Sequence, residues 1–423
     1  MRIVIATWGS HGDLNPALGL AAGLRDRGHD VVVATSPMYQ PDVERAGVGF
    51  HAVRPDIDPD DTAFVARIMD AHRGTEFLFR KVLMPALADA AADLRPAVAH
   101  ADLVVSHPAT FAVPVLAEAL GKKWASMVLA PMSFFSVHDV PVFPPAPWLR
   151  RVAERSQLVS RALVALARRT TRGWTRPVAA LRADHGLPAG GDPVYEGQHS
   201  PHLVLALFSR VLADPQPDWP ANVVVTGAIP YNATGVAALP DALEAFLAAG
   251  PAPVVFTLGT SAVFAPGRFY PESLAAVRTV GCRAVLLVGR DGASRLPGPL
   301  PDGVIAIDYA PHAALFPRAS AVVHQGGAGT LYHALASGRP MIVVPYAHDQ
   351  PDNADRARRL GVARVISPRQ YRARRVAHAL RDVLQDWEMA TAAAHVAARV
   401  RAEDGVRDAC DAIERVLARR TPH

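Results

Sequence analysis

Apolar positions along this chain fall into short runs separated by longer stretches in which they recur at helical spacing. Runs at Arg2 to Thr7, Asp30 to Ala34, Leu103 to Ser106, Ala125 to Leu129 and Leu203 to Leu207 predict strands. Helical patterns lie between them, the first from Leu14 to Arg27 with its stop at Gly28. A proline-rich boundary follows at Asp214-Pro215-Gln216-Pro217-Asp218-Trp219-Pro220. The pattern then restarts, with strands near Val254 to Leu258, Ala284 to Val288, Ala321 to Val323 and Met341 to Val344. Strands alternating with helices predict an α/β protein built on parallel sheets with helices on both faces. The expected organisation is a first domain over 1–213, a stiff linker over 214–228, a second domain over 229–400 and a helical tail over 401–423.

Composition fits two cores: 423 residues, half of them hydrophobic. No run of 18 apolar residues exists, so no membrane-spanning helix is predicted. The chain opens directly on a strand without a signal-peptide pattern, and Cys282 and Cys410 stand apart with no metal-ligand spacing. A reducing cytoplasm suits that usage. The net charge of +5 is mild and carried almost wholly by arginine, since Lys81, Lys122 and Lys123 are the only lysines. This is the mark of a GC-rich bacterial genome and predicts no nucleic-acid partner. The densest basic stretch, Arg150 to Arg176, has partly helical apolar spacing. A solvated helix face is favoured there over a membrane-surface helix, leaving weak peripheral membrane contact as the lesser alternative. Monomer and homodimer both stay open.

The chemistry concentrates at residues 324–330, His-Gln-Gly-Gly-Ala-Gly-Thr, which join a buried strand to a helical pattern closed by Gly338 and Pro340. Residues without side chains let a ligand approach the backbone, where the first-turn N–H groups and the helix dipole favour an anion such as a diphosphate. His324 and Thr330 flank the turn as possible donors to phosphate. A helix start whose glycines only relieve crowding explains the turn equally well on its own. After the next strand comes Tyr346-Ala347-His348-Asp349-Gln350. An acid beside an amide at a strand's C-terminal end suits sugar hydroxyls, whereas Asp352 and Asn353 read equally well as helix caps.

The stretch from about Pro311 to Gly361 resembles the donor-binding signature of family-1 glycosyltransferases of the GT-B fold. Bacterial members that glycosylate natural products, sterols or lipids are the closest in pattern. Gly9-Ser10-His11-Gly12-Asp13-Leu14-Asn15-Pro16 resembles that family's first loop. The resemblance implies two Rossmann-like, doubly wound parallel-sheet domains facing a central cleft, with the tail crossing back to the first domain. It implies inverting transfer of a hexose or deoxyhexose from a UDP- or dTDP-linked donor to a hydroxyl of a hydrophobic small molecule, without a cofactor or metal. Asp13 is the candidate base, with His107 or His11 sharing the task and Ser10 holding the loop. Plant members place a histidine where Asp13 stands and an aspartate after a later strand, so the pair is reversed here. The donor site would comprise Ser10, Thr260, Ser261, Arg290, Tyr309 as a base-stacking platform, His324, Gly327, Ala328, Gly329, Thr330, Asp349 and Gln350. Plant relatives hold the ribose with a glutamate where this chain has Tyr332, and deoxythymidine-using bacterial relatives also lack it. Asp56-Ile57-Asp58 superficially matches a metal-binding pair of the other glycosyltransferase fold but reads as a solvated loop. Phe134, Phe135, Phe143 and Trp148 are the candidate acceptor contacts, with core packing as the equal alternative for each. A nucleotide-sugar epimerase of the same fold and a cell-wall lipid-precursor transferase are the rival functions.

Overall fold

The computed structural model describes residues 1–56, 61–233, 235, 238–259, 262–264, 266–290, 292, 296 and 298–419. The chain divides into two compact units. The first comprises Met1–Asp58, Arg73–Thr234 and Glu403–His423, and the second Pro59–His72 and Gly235–Ala402.

The first unit is built on β1 (Arg2–Ala6), β2 (Asp30–Thr35), β3 (Gly49–Ala52), β4 (Leu103–Ser106), β5 (Lys123–Val128), β6 (Val204–Ala206) and β7 (Val223–Val225). They form one sheet in the order β3-β2-β1-β4-β5-β6-β7, every pair parallel. Residues along a strand alternate between two cores: Ile3, Ile5, Leu103 and Val105 pack on one face, Val4, Ala6 and Val104 on the other. With both faces covered, the inner strands are mostly apolar. From β1 the sheet grows outward through β2 to β3, and the chain then returns to lay β4 on the other side of β1. That reversal opens a crevice beyond the C-terminal ends of β1 and β4.

The second unit repeats the plan with β8 (Val254–Thr257), β9 (Ala284–Leu287), β10 (Val304–Ile307), β11 (Ala321–His324), β12 (Met341–Val343) and β13 (Ala363–Val365), ordered β10-β9-β8-β11-β12-β13 and parallel throughout. Its reversal lies between β8 and β11.

Two boundaries differ from the sequence expectation, while the terminal helix packs on the first unit. The segment expected as a linker carries β7 and belongs to the first unit. Its prolines, which lack an N–H donor, break the helical and strand patterns. Trp219 among them is nevertheless buried and stacks on Phe134 with ring centroids 4.0 Å apart. Helix Thr62–Ile68 belongs to the second unit, where Val65, Ile68 and Met69 join its core. Helix Gly405–Ala418 packs on helix His11–Asp26, with Ala409, Cys410 and Ile413 in the first core. Arg27 holds it through Glu414 at 2.8 Å.

Candidate active site

β1 hands the chain to a loop at Thr7–Ser10, and helix His11–Asp26 begins with Asp13 in its first turn. A reciprocal cap closes the loop. The Ser10 hydroxyl accepts from the Gly12 N–H at 3.1 Å, while Asp13 Oδ2 accepts from the Ser10 N–H at 2.8 Å and from its hydroxyl at 3.3 Å. Gly9 sits at φ +139°, and a Cβ there would fall on the Asp13 carboxylate.

His107 follows β4, the neighbour of β1. Its Nε2 lies 3.3 Å from Asp13 Oδ1, and its Nδ1 accepts the Ala109 N–H at 3.2 Å. These partners assign the proton of the neutral ring to Nε2, so both ring nitrogens are committed. The imidazole is 9% exposed and the carboxylate 32%. A base presented to a ligand from this pair is therefore the carboxylate. His11 is turned elsewhere: its Nε2 lies 3.0 Å from Asp42 Oδ2, and its ring meets Tyr39 edge-on. Residues two apart on a helix do not share a face, which separates His11 from Asp13.

In the second unit, β11 ends at His324 and helix Ala328–Ser337 starts two residues after Gly326, whose φ is +90°. Its N-cap Gly327 offers no side chain to cap it, so the first-turn N–H groups carry the positive end of the dipole with no N-cap side-chain bond. Gly259 after β8 adopts φ +64°, and a Cβ there would fall on the Gln325 amide and lie 3.1 Å from Thr330 Oγ1. The two loops thus meet at the sheet's reversal. Gly329 is different: its φ is not left-handed and an added Cβ would meet nothing within 4 Å. Alanine is favoured over glycine inside a helix by up to about 1 kcal/mol, so the fold alone does not explain this glycine. Gly329→Ala is expected to keep or raise the melting temperature while weakening nucleoside diphosphate binding. Calorimetry that finds unchanged affinity would show that no ligand needs the space.

His324, expected to donate to phosphate, is placed beneath the turn. It is fully buried, its Nδ1 accepts the Gly326 N–H at 3.1 Å, and its Nε2 lies 3.4 Å from Met341 Sδ. Burial pushes its pKa down to about 3. A buried neutral ring with Nδ1 committed to the backbone props the turn from beneath. Gln325, which the sequence analysis passed over, is 5% exposed with its Nε2 3.4 Å from Thr330 Oγ1. Its Oε1 is buried without a partner among the described residues. An amide set between a strand end and a glycine turn was the signal for it.

After β12, Gln350 Oε1 accepts the N–H groups of Tyr346 and Ala347 at 2.8 and 3.4 Å. Asp349 Oδ2 accepts from Asn353 Nδ2 at 2.7 Å, and the same amide donates to Gly326 O at 2.9 Å. Asn353, expected only as a cap, therefore ties this loop to the glycine turn. His348 sits in the left-handed region at φ 55°, a costly conformation for a side chain with a Cβ. Arg290 and Tyr309, exposed, follow the adjacent strands β9 and β10. Thr260, Ser261, Ile57 and Asp58 lie outside the described residues.

Of the candidate acceptor contacts, Phe134 and Phe135 line a cavity of about 510 Å³ in the first unit, together with Tyr195, His199 and Trp219. Phe135 stands at φ 47° with its ring 4.4 Å from that of Tyr195. Phe134 is only 8% exposed, clamped between Trp219 and His199. Phe143 is half-buried outside the lining, and Trp148 projects into solvent.

Residues 3–125 match the family model described as glycosyltransferase family 28 N-terminal domain. Residues 273–413 match that of erythromycin biosynthesis protein CIII-like, C-terminal domain. The chain is 33% identical over 436 residues to O-mycaminosyltylonolide 6-deoxyallosyltransferase of Streptomyces fradiae, covering 100% of this chain and 99% of that protein. The chain belongs to the family-1-like glycosyltransferases of GT-B fold. This glycosyltransferase is also 30% identical to the vancomycin aglycone glucosyltransferase of Amycolatopsis orientalis, over 86% of its own length and 85% of the relative's. Two solved structures share the GT-B fold. The calicheamicin glycosyltransferase CalG4 is 20% identical with a TM-score of 0.71, covering 100% of this chain and 99% of that one. The glycosyltransferase VinC, solved in complex with dTDP, is 23% identical with a TM-score of 0.70 and covers 99% of both chains. The enzyme is accordingly a nucleotide-sugar-dependent glycosyltransferase. No helix among the described residues is long and apolar enough to cross a membrane.

Proposed function

We propose that the enzyme transfers a hexose or deoxyhexose, with inversion, from a dTDP- or UDP-linked donor to a hydroxyl of an apolar natural-product-like acceptor. The observation that carries this reading is the Asp13 carboxylate, fixed by Ser10 and His107 at the reversal of the first sheet. Asp13 takes the acceptor hydroxyl's proton as that oxygen forms its bond to the anomeric carbon. The bond from that carbon to the diphosphate breaks on the opposite side, and the electron pair leaves with the nucleoside diphosphate. His107 is a positioning residue: its Nε2–H orients the carboxylate. The leaving diphosphate is held by the uncapped amides at Ala328, Gly329 and Thr330, where preorganised donors oppose the developing charge. Asp349 and Gln350 read the hexose. The Gln350 carbonyl is spent on the backbone, which leaves its amide N–H groups for sugar oxygens.

For the acceptor, the cavity walled by Phe134, Phe135, Tyr195 and Trp219 supports an apolar, ring-bearing molecule. The names of the macrolide and glycopeptide relatives agree with that class, and the dTDP complex of VinC favours a deoxythymidine donor. Incubation with dTDP- and UDP-hexoses, with and without macrolide and aromatic aglycones, tests the proposal. The expected result is nucleoside diphosphate release that requires acceptor, with an inverted anomeric centre in the product by NMR. An epimerised donor without any glycoside, or a retained configuration, would replace it with a different chemistry.

A further inference from the structure

Helix Gln157–Thr171 shows a face that the fold does not use. Its inner side buries Ser160 and half-buries Val159, Leu163 and Val164, whereas Leu158, Arg161, Ala162, Ala165, Leu166 and Arg169 all face solvent. Leu158 is 75% exposed and Leu166 56%, two of the most open large apolar side chains among the described residues. Trp148, 64% exposed, stands at the start of helix Leu149–Ala153, which packs against this one.

The charge around this strip is equally unspent. Arg151, Arg155, Arg161, Arg169, Arg172 and Arg176 are exposed, and none has an ion-pair or hydrogen-bond partner for its guanidinium among the described residues. Arg150 and Arg168, in contrast, are both paired, to Asp139 and Glu196. The only acid from 148 to 176 is Glu154, which pairs with Arg150. Six such arginines within residues 151–176 exceed the formal net charge of the whole chain, +5.

We infer that this face docks on the surface of an anionic phospholipid bilayer. Exposed leucines and a tryptophan between arginines match a helix lying in the plane of the lipid interface. The apolar side chains enter the acyl boundary there, and the guanidinium groups reach the headgroups. A nucleic acid would reward the arginines but leave the strip from Leu158 to Leu166 in water. The docking is independent of the acceptor assignment, because none of these exposed side chains belongs to the proposed chemistry.

Sedimentation of the full chain with sucrose-loaded vesicles tests it, using phosphatidylcholine alone and phosphatidylcholine with about one-third phosphatidylglycerol. Binding to the anionic vesicles should exceed that to the neutral ones by at least about tenfold and fall in high salt. Arg161→Glu with Arg169→Glu should abolish the preference, and Leu158→Ser with Leu166→Ser should weaken binding at unchanged net charge. All four side chains are exposed, so a matching melting temperature establishes that each variant folds. Equal binding to both vesicle types would overturn the inference. Undiminished vesicle binding by the leucine pair, with free polyglutamate competing as well as lipid does, would also overturn it and assign the face to an acidic protein surface.

Discussion

Asp13→Asn should lose about 10²–10⁴ in turnover while binding nucleoside diphosphate as the parent enzyme does. The substitution is isosteric, and its amide oxygen can still accept from Ser10, so the helix start keeps its form. What disappears is a site that can take the acceptor's proton. Because both nitrogens of His107 are committed, to Asp13 and to the Ala109 N–H, the imidazole cannot take over without leaving its place. The retained affinity follows from the donor amides being on the other unit. Single-turnover rates with a saturating donor, alongside calorimetry with the diphosphate, measure the two quantities separately. Near-normal transfer by the variant would remove Asp13 from the chemistry. A parallel collapse of diphosphate affinity would point to misfolding instead.

Acidification should loosen the second unit well before carboxylates titrate. His324 lies under the glycine turn and His333 on the helix that follows it, with His312 against His333, and burial lowers the pKa values of His312, His324 and His333 to about 3, 3 and 4. His312 stacks on Phe316 and meets His333 edge-on, so both half-buried rings are held in this packing, whereas His324 is fully buried. In the unfolded chain each imidazole takes a proton near pH 6.5. Above that value both states are neutral and the group contributes nothing to pH dependence. Below it the unfolded chain binds more protons, so stability falls as pH drops from about 6.5 toward the folded values. Each imidazole contributes about 1.4 kcal/mol per pH unit across that window. Urea unfolding between pH 7.5 and 5, followed by a probe in the second unit, should show a steep loss below 6.5. His312→Asn should reduce the slope by one proton. A flat profile over that range would mean that the three rings are solvated.

The inner frame of the fold was legible and its margins were not. All nine strands expected from apolar runs are interior strands of the two sheets. The four that went unrecognised, β3, β7, β10 and β13, are the four edges. An edge strand has one neighbour and needs less apolar surface, so Gly49-Phe50-His51-Ala52 and Ala363-Arg364-Val365 resemble ordinary loop sequence. The site followed the same rule. Asp13 and His107 could be paired because each lies beyond the C-terminal end of a strand run, and parallel sheets bring the ends of neighbouring strands together. The commitments of individual side chains were not visible. His11 is claimed by Asp42, 31 residues away in sequence, and His324 by the backbone it lies beneath. Trp148 was read with the acceptor aromatics because an aromatic cluster in sequence carries no information about which rings face inward.

The chain crosses from one unit to the other and back twice, since 59–72 folds with the second unit and 403–423 with the first. Each compact body is therefore assembled from separated stretches of sequence. A hybrid enzyme made by a single exchange near residue 234 would pair Val65, Ile68 and Met69 with a foreign core and would deprive helix His11–Asp26 of Cys410 and Ile413. Recombination that respects the packing has to carry the terminal helix together with the amino-terminal half, and the short stretch at 59–72 together with the other. Any attempt to graft one specificity onto another in this architecture is then a matter of four junctions, not one.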